Sequence, residues 1–311
     1  MPAEPPPTFQ PCRPLGRTGF TATILGIGDI ADRAVPLEQC VATVRRAMDA
    51  GLNVIDTAPS YEDGYSERIV GAALRGRQKG MFVIDKIDHH DQPVARQVDA
   101  SLALLSLETV DLFVFHNLDT LEGWRRVAAP DGGMEQLGRC VRAGKVRFRG
   151  ISCHNPAVLA SAIPSGLCDV VLFAVGPFCD DRYITEILPL ARRHGVGTVC
   201  FKTFGAGKLL CDTTGYNRPL QQRPRGKVSS GGTPTAQPRL PHLTVQQCVH
   251  YTLSCDVDVA LLGMSFPNEQ DAAFAAAASF RPLPLDELVD IRRQAAAAVE
   301  GKGPCWWNPQ S

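Results

Sequence analysis

Eight short apolar runs recur along the chain, each followed by a longer segment with helical spacing, and no other feature narrows the fold as much. The runs fall at residues 24–28, 52–56, 81–86, 110–116, 146–151, 169–174, 196–202 and 258–263. Helix-period segments lie at 36–50, 66–76, 94–106, 134–143, 156–163, 182–194, 244–254 and 268–278, and an Ala-rich one follows at 284–299. Strand–helix–strand order makes neighbouring strands parallel. Eight such units in one chain predict a closed (β/α)8 TIM barrel, and the Ala-rich segment adds a C-terminal helix. Ahead of the first unit, Pro14-Leu15-Gly16-Arg17-Thr18-Gly19-Phe20-Thr21-Ala22-Thr23 reads as an N-terminal hairpin. The Pro-rich residues 1–13 are read as a disordered arm, and 14–311 as one barrel domain. Between the seventh run and its helix, residues 204–243 form a long connection rich in Gly, Pro, Ser, Thr, Gln and Arg. In a barrel this connection lies on the face where active sites form.

Composition removes several function classes. Thirty-two basic residues balance thirty-two acidic ones, so no global field draws the chain to nucleic acid or anionic lipid. No apolar run approaches the length of a membrane span, and Met1–Pro7 has neither the basic nor the apolar part of a signal peptide. A cytoplasmic location follows as the expectation. The eleven cysteines are odd in number, dispersed and never spaced Cys-x-x-Cys, which points to reduced, buried thiols. Asp88-His89-His90-Asp91 is read as a polar loop, since adjacent histidines rarely face one ion, and no metal is expected.

A barrel aims the last residue of each strand into one shared mouth, so reactive side chains there carry the most weight. The second run ends at Asp56 and leads to Tyr61; the third ends at Lys86; the fourth ends at His116. Neighbouring strands lie about 5 Å apart, close enough for these groups to converge. A Tyr hydroxyl is a poor acid at neutral pH, and a nearby ammonium lowers its pKa. Asp56 can hold and neutralise Lys86 in a low-dielectric mouth, while His116 offers a donor to a carbonyl oxygen. Such a group suits protonation of an oxyanion as hydride reaches carbon.

The block Asn53-Val54-Ile55-Asp56-Thr57-Ala58-Pro59-Ser60-Tyr61-Glu62-Asp63-Gly64-Tyr65-Ser66-Glu67 resembles the Asp-Thr-Ala-x-x-Tyr-Gly-x-Gly-x-Ser-Glu signature of the aldo/keto reductase family. Lys86 and His116 match the family's other two catalytic positions, and the resemblance runs from Pro14 to about Ala278. It implies a metal-free reductase using NADP(H) or NAD(H), with Asp56, Tyr61, Lys86 and His116 as its catalytic group. It also implies a small-molecule carbonyl or alcohol substrate, with neither nucleic acid nor membrane as partner.

On the cofactor side the resemblance is looser. Gly150-Ile151-Ser152-Cys153 stands where the family has Gly-x-Ser-Asn, so Ser152 matches and Cys153 departs. Either His154 substitutes for the missing amide or the His154-Asn155-Pro156 turn caps a helix. The sixth run offers no amide, leaving Phe173 and Phe178 as candidate stacking platforms. Gly28 ends the first run; Lys202, Gly205, Gly207 and Lys208 resemble a pyrophosphate segment; Gly263, Ser265, Glu269 and Gln270 resemble the part gripping the adenosine half. Arg218, Arg223, Arg225, Lys227 and Arg239 are further candidates for a 2′-phosphate, and Trp306-Trp307 for a substrate-lining tail. Two alternatives share this architecture: an NAD-dependent alcohol or sugar dehydrogenase, and a cofactor-binding regulatory or scaffold barrel with little turnover.

Overall fold

The computed structural model describes residues 7–30, 32–210 and 241–309. The chain opens with a small antiparallel hairpin, β1 (Arg13–Pro14) and β2 (Thr21–Ala22), in the predicted place. Eight strands then close a parallel barrel: β3 (Leu25–Ile27), β4 (Val54–Asp56), β5 (Phe82–Ile87), β6 (Val110–Phe115), β7 (Val146–Ser152), β8 (Val170–Ala174), β9 (Gly197–Phe201) and β10 (Val259–Leu262). Every strand pairs with its neighbour in chain order, and β10 pairs with β3 to seal the sheet.

Outside the sheet lie α1 (Leu37–Asp49), α2 (Tyr65–Leu74), α3 (Val94–Leu105), α4 (Leu121–Ala128), α5 (Gly133–Arg142) and α6 (Pro156–Ala162). They continue as α7 (Leu188–His194), α8 (Val245–Ser254), α9 (Pro267–Ala278) and α10 (Leu285–Val299). Only α4 was not expected. It is a short helix whose start is fixed by Thr120, which accepts a hydrogen bond from Gly123 N–H, and it precedes α5 in a connection where one helix sufficed for the strand–helix count. The expected helix over 182–194 opens as a π-helical turn, Tyr183–Ile187, before α7. Pro189 has no N–H to donate to the carbonyl four residues back, and the wider turn accommodates that loss.

Two apolar layers result from strand alternation. Val54, Phe82, Ile84, Leu112, Val114, Val170, Leu172, Val199, Val259 and Leu261 fill the barrel interior. Leu15 and Ala22 of the hairpin segment join this cluster and close the end of the barrel away from the mouth. The outward residues, among them Ile55, Val83, Phe113, Ile151, Phe173 and Cys200, pack beneath the helices. Gly150 is required by the closeness of β8, because a Cβ there would meet the Val170 carbonyl oxygen at 1.8 Å.

The reading of 1–13 as a disordered arm is corrected for its described part. Phe9 is buried, its N–H donates to the Ala50 carbonyl at 2.8 Å, and its ring meets Phe274 edge-on at 5.2 Å. A single aromatic anchor among prolines gave no periodic signal. No helix among the described residues is long and apolar enough to cross a membrane.

Candidate active site

The period of two that fills the interior also selects the residues at its upper rim. On β5 the inward series Phe82, Ile84 continues to Lys86; on β4 Val54 leads to Asp56; on β6 Leu112 and Val114 lead to His116, just past the strand. Parallel register sets these ends side by side, with Asp56 opposite Ile84 and Lys86 opposite Val114.

Lys86 is the centre of the arrangement. Its Nζ donates to Asp56 Oδ1 and to the Thr57 carbonyl, both at 2.6 Å, and sits 4.4 Å from the centre of the Tyr61 ring. Both members of the ion pair are almost fully buried, at 2% and 3% exposed. Burial disfavours the ammonium, but Asp56 and Tyr61 outweigh it and hold the Lys86 pKa above its ordinary value. Burial also lifts Asp56, against the pull of Lys86. Tyr61 differs from the expectation. Lys86 does draw the phenol down, yet burial is the larger effect, Asp56 and Asp29 add to it, and the net shift is upward. The phenol is therefore held in its proton-bearing form.

His116 stands beside Tyr61, ring centres 5.6 Å apart and edge-on. Its Nδ1 lies 2.5 Å from Asp88 Oδ1, and the other Asp88 oxygen accepts the Ser60 N–H at 2.8 Å. Burial lowers the His116 pKa, with Asp88 opposing. The loop 88–91 thus turns toward His116: Asp88 binds its ring and His90 Nε2 binds its backbone oxygen at 2.7 Å. Asp88 was missed because loop positions after a strand carry no periodicity.

The candidate cofactor residues divide into two groups. Lys202 follows β9 with a positive φ of 74°, and its ammonium lies over Trp306 (4.4 Å) and Phe201 (5.2 Å). No carboxylate pairs with it among the described residues, and burial lowers its pKa to about 8. The next residue, Thr203, has a buried hydroxyl without a hydrogen-bond partner among the described residues. Gly205 and Gly207 follow in a tight turn with positive φ. An unpaired cation, an orphaned hydroxyl and a glycine turn fit a phosphate-bearing cofactor. Gly28 and Gly263 lie where β3 and β10 meet, with the Gly28 N–H on the Leu262 carbonyl at 2.7 Å. Ser152 ends β7, continuing the inward series through Gly150.

The remaining four are occupied elsewhere or serve the helix start. Lys208 Nζ donates to the carbonyls of Gly303 and Pro304 at 2.9 and 2.6 Å, since a buried ammonium requires acceptors. Glu269 accepts the N–H groups of Ser265 and Phe266, capping α9, and burial raises its pKa to about 7. Gln270 is wholly buried, bridging Thr43 and Met264 carbonyls and accepting from Arg46. The five cations proposed between Arg218 and Arg239 lie outside the described residues.

Cys153 and Asn155 close a turn: Asn155 caps α6 by accepting the Ala157 N–H, and the Cys153 thiol faces the Asn155 backbone. The capping expected of this turn is therefore made by Asn155. The His154 ring lies between Phe201 (5.1 Å) and Trp306 (4.9 Å), with Nδ1 3.4 Å from Asp119. Phe173 points outward and stacks on Tyr183, so it does not face the mouth; Phe201, on the inward series of β9, lies at the rim. Phe201 was legible from strand alternation. Trp306, one of the pair named for a lining tail, is 45% exposed and is carried by the tail to the His154 ring.

A closed eight-stranded parallel barrel carrying a buried Asp–Lys pair, a Tyr and a His at one rim defines a barrel of the reductase type. The family model for the aldo/keto reductase family matches residues 23–288, and the chain belongs to that family. L-galactose dehydrogenase of Arabidopsis thaliana is 24% identical over 300 residues, spanning 88% of this chain and 90% of that protein. Methylglyoxal reductase YeaE of Escherichia coli is 34% identical over 115 residues, 36% of this chain and 38% of that protein. Among solved structures, the holo form of aldo-keto reductase AKR11C1 from Bacillus halodurans superposes with a TM-score of 0.70 at 22% identity, covering 93% of this chain and 97% of its own. An aldo-keto reductase from Klebsiella pneumoniae in complex with NADPH gives 0.67 at 21% identity, covering 91% and 95%.

Proposed function

We propose that the chain is an NAD(P)(H)-dependent oxidoreductase that transfers hydride between the cofactor and a small aldehyde or ketone. The observation that carries this reading is the buried Lys86–Asp56 pair set against Tyr61 and beside His116 at the barrel rim. The reduced nicotinamide supplies the hydride. Tyr61, held in its protonated form, gives its proton to the oxyanion that develops on the carbonyl oxygen. Lys86 stabilises the phenolate left behind, and Asp56 keeps Lys86 charged and in place. His116 orients the carbonyl oxygen. Lys202, Thr203 and the Gly205–Gly207 turn hold phosphate, while Gly28, Ser152 and Gly263 let the cofactor approach the strand ends. Lys208, Glu269 and Gln270 shape the loops around it. The many buried cysteines suit work in the reducing cytoplasm.

A second reading, oxidation of an alcohol or sugar on the same residues, is favoured by the similarity to a galactose dehydrogenase over most of the chain. Both readings require the nicotinamide cofactor. Titration of the purified protein with NADPH and with NADH, followed by quenching of Trp fluorescence, tests that requirement, because Trp306 lies against Lys202. Saturable quenching by either is the expected result. No response to either would remove the reading and leave a barrel without a nicotinamide site.

A further inference from the structure

We propose that Asp88 is a positioning residue that holds His116 as its Nδ1–H tautomer, so that the ring becomes a donor to a substrate oxygen only when doubly protonated. This rests on the carbonyl-reductase reading of the rim, but its structural half stands apart from it. The Asp88 carboxylate accepts the Ser60 N–H through Oδ2 and lies 2.5 Å from His116 Nδ1 through Oδ1. The histidine hydrogen bond lowers the Asp88 pKa against the effect of burial, and an ionised carboxylate can only accept. Nδ1 must therefore carry a hydrogen. A neutral imidazole has one N–H, so its Nε2 presents a lone pair.

No hydrogen-bond partner for Nε2 occurs among the described residues, and the ring stands at the rim beside Tyr61. A lone pair there accepts from an alcohol hydroxyl and repels a carbonyl oxygen. The imidazolium, with Asp88 as counter-charge, donates to that oxygen. The groups facing His116 act in both directions: Asp88 and Asp56 favour the imidazolium, burial and Lys86 oppose it, and the His90 ring binds only its backbone oxygen. Because burial dominates, the change of state falls below the 6.5 of a free imidazole.

Asp88→Asn separates this arrangement from simple packing. The Ser60 N–H needs an oxygen, so the Asn carbonyl turns to Ser60 and its amide N–H group faces Nδ1. His116 must then accept at Nδ1 and carry its hydrogen on Nε2, donating to substrate whether or not it is charged.

The first readout is the two-bond proton–nitrogen NMR spectrum of histidine-labelled protein at pH 8, with His116 identified by its absence in His116→Gln. Wild type is expected as the Nδ1–H form and Asp88→Asn as the Nε2–H form; an Nε2–H wild type overturns the proposal even if the variant does not fold. The second is kcat/KM for NADPH-dependent methylglyoxal reduction from pH 5 to 9. Wild type is expected to fall about tenfold per pH unit above the His116 pKa, and Asp88→Asn to lose that limb. Identical profiles overturn the proposal. The overall equilibrium is fixed at each pH, so the reverse oxidation must change by the same factor in the variant. If neither NADPH nor NADH supports any turnover, the reductase reading fails, and the spectrum still decides the tautomer.

Discussion

At the scale of single residues, the rim works because charges are buried only in company. Lys86 has a carboxylate, a backbone carbonyl and an aromatic face around it, so its ammonium persists where an isolated one would lose its proton. On the opposite face of the same strand, Asp85 points outward to Glu67 of α2, and the two carboxyls share a site with no ion pair to either among the described residues. Burial raises Glu67 to about 7, and burial together with Glu67 raises Asp85. The folded state therefore binds a proton more tightly than the unfolded chain, where such a carboxyl titrates near 4.5. From about pH 4.5 to about pH 7 this group's contribution to stability must fall as pH rises. Glu67→Gln is expected to gain on wild type in urea midpoint between pH 5 and pH 8. A difference that does not change with pH would show that the pair is not protonated in the native state.

At the scale of elements, what could be read from sequence was what repeats. Eight strands were placed because apolar runs alternate with helical ones, and Asp56, Lys86 and His116 were singled out because strand ends share one mouth. Asp88 and Asp119 escaped, since each acts from a loop whose position depends on contacts distant in the chain. The turn at 153–156 lies between these cases. Asn155 ahead of Pro156 is a local helix-start signal, whereas the side of the turn facing the mouth is decided by Asp119, which accepts the His154 N–H and lies beside its ring. Asn155 also donates to the Asp119 carbonyl at 3.0 Å. Asn155→Ala removes the cap of α6 and this tether, and a loss of about 1 kcal/mol in unfolding free energy is expected. A loss below the error of a urea titration would mean that the cap contributes nothing here.

At the scale of the whole molecule, the C-terminal segment belongs to the barrel mouth rather than trailing from it. Trp307 is completely buried, its Nε1 donating to the Phe178 carbonyl at 2.9 Å, and Asn308 accepts the Asp180 N–H. Lys208 reaches into the tail and Lys302 reaches back to the Lys208 carbonyl at 2.8 Å, so the two lysines clasp the loop after β9 from both sides. These contacts carry Trp306 to its place over Lys202 and His154. Trp307→Ala is expected to cost about 3–5 kcal/mol in urea unfolding, the range for deleting a large buried aromatic. It should also weaken Trp306-dependent quenching by cofactor. Unchanged stability would place the tail outside the cooperative unit.

The central claim is that hydride arrives at carbon while Tyr61 protonates oxygen. Mass analysis of the alcohol formed from methylglyoxal with NADPH, or NADH, deuterated at C4 tests it in wild type and Tyr61→Phe. The expected result is deuterium on the carbinol carbon in wild type, and in Tyr61→Phe a rate lower by at least about 100-fold with cofactor affinity retained. Product without label, or a Tyr61→Phe protein as fast as wild type, would contradict the account.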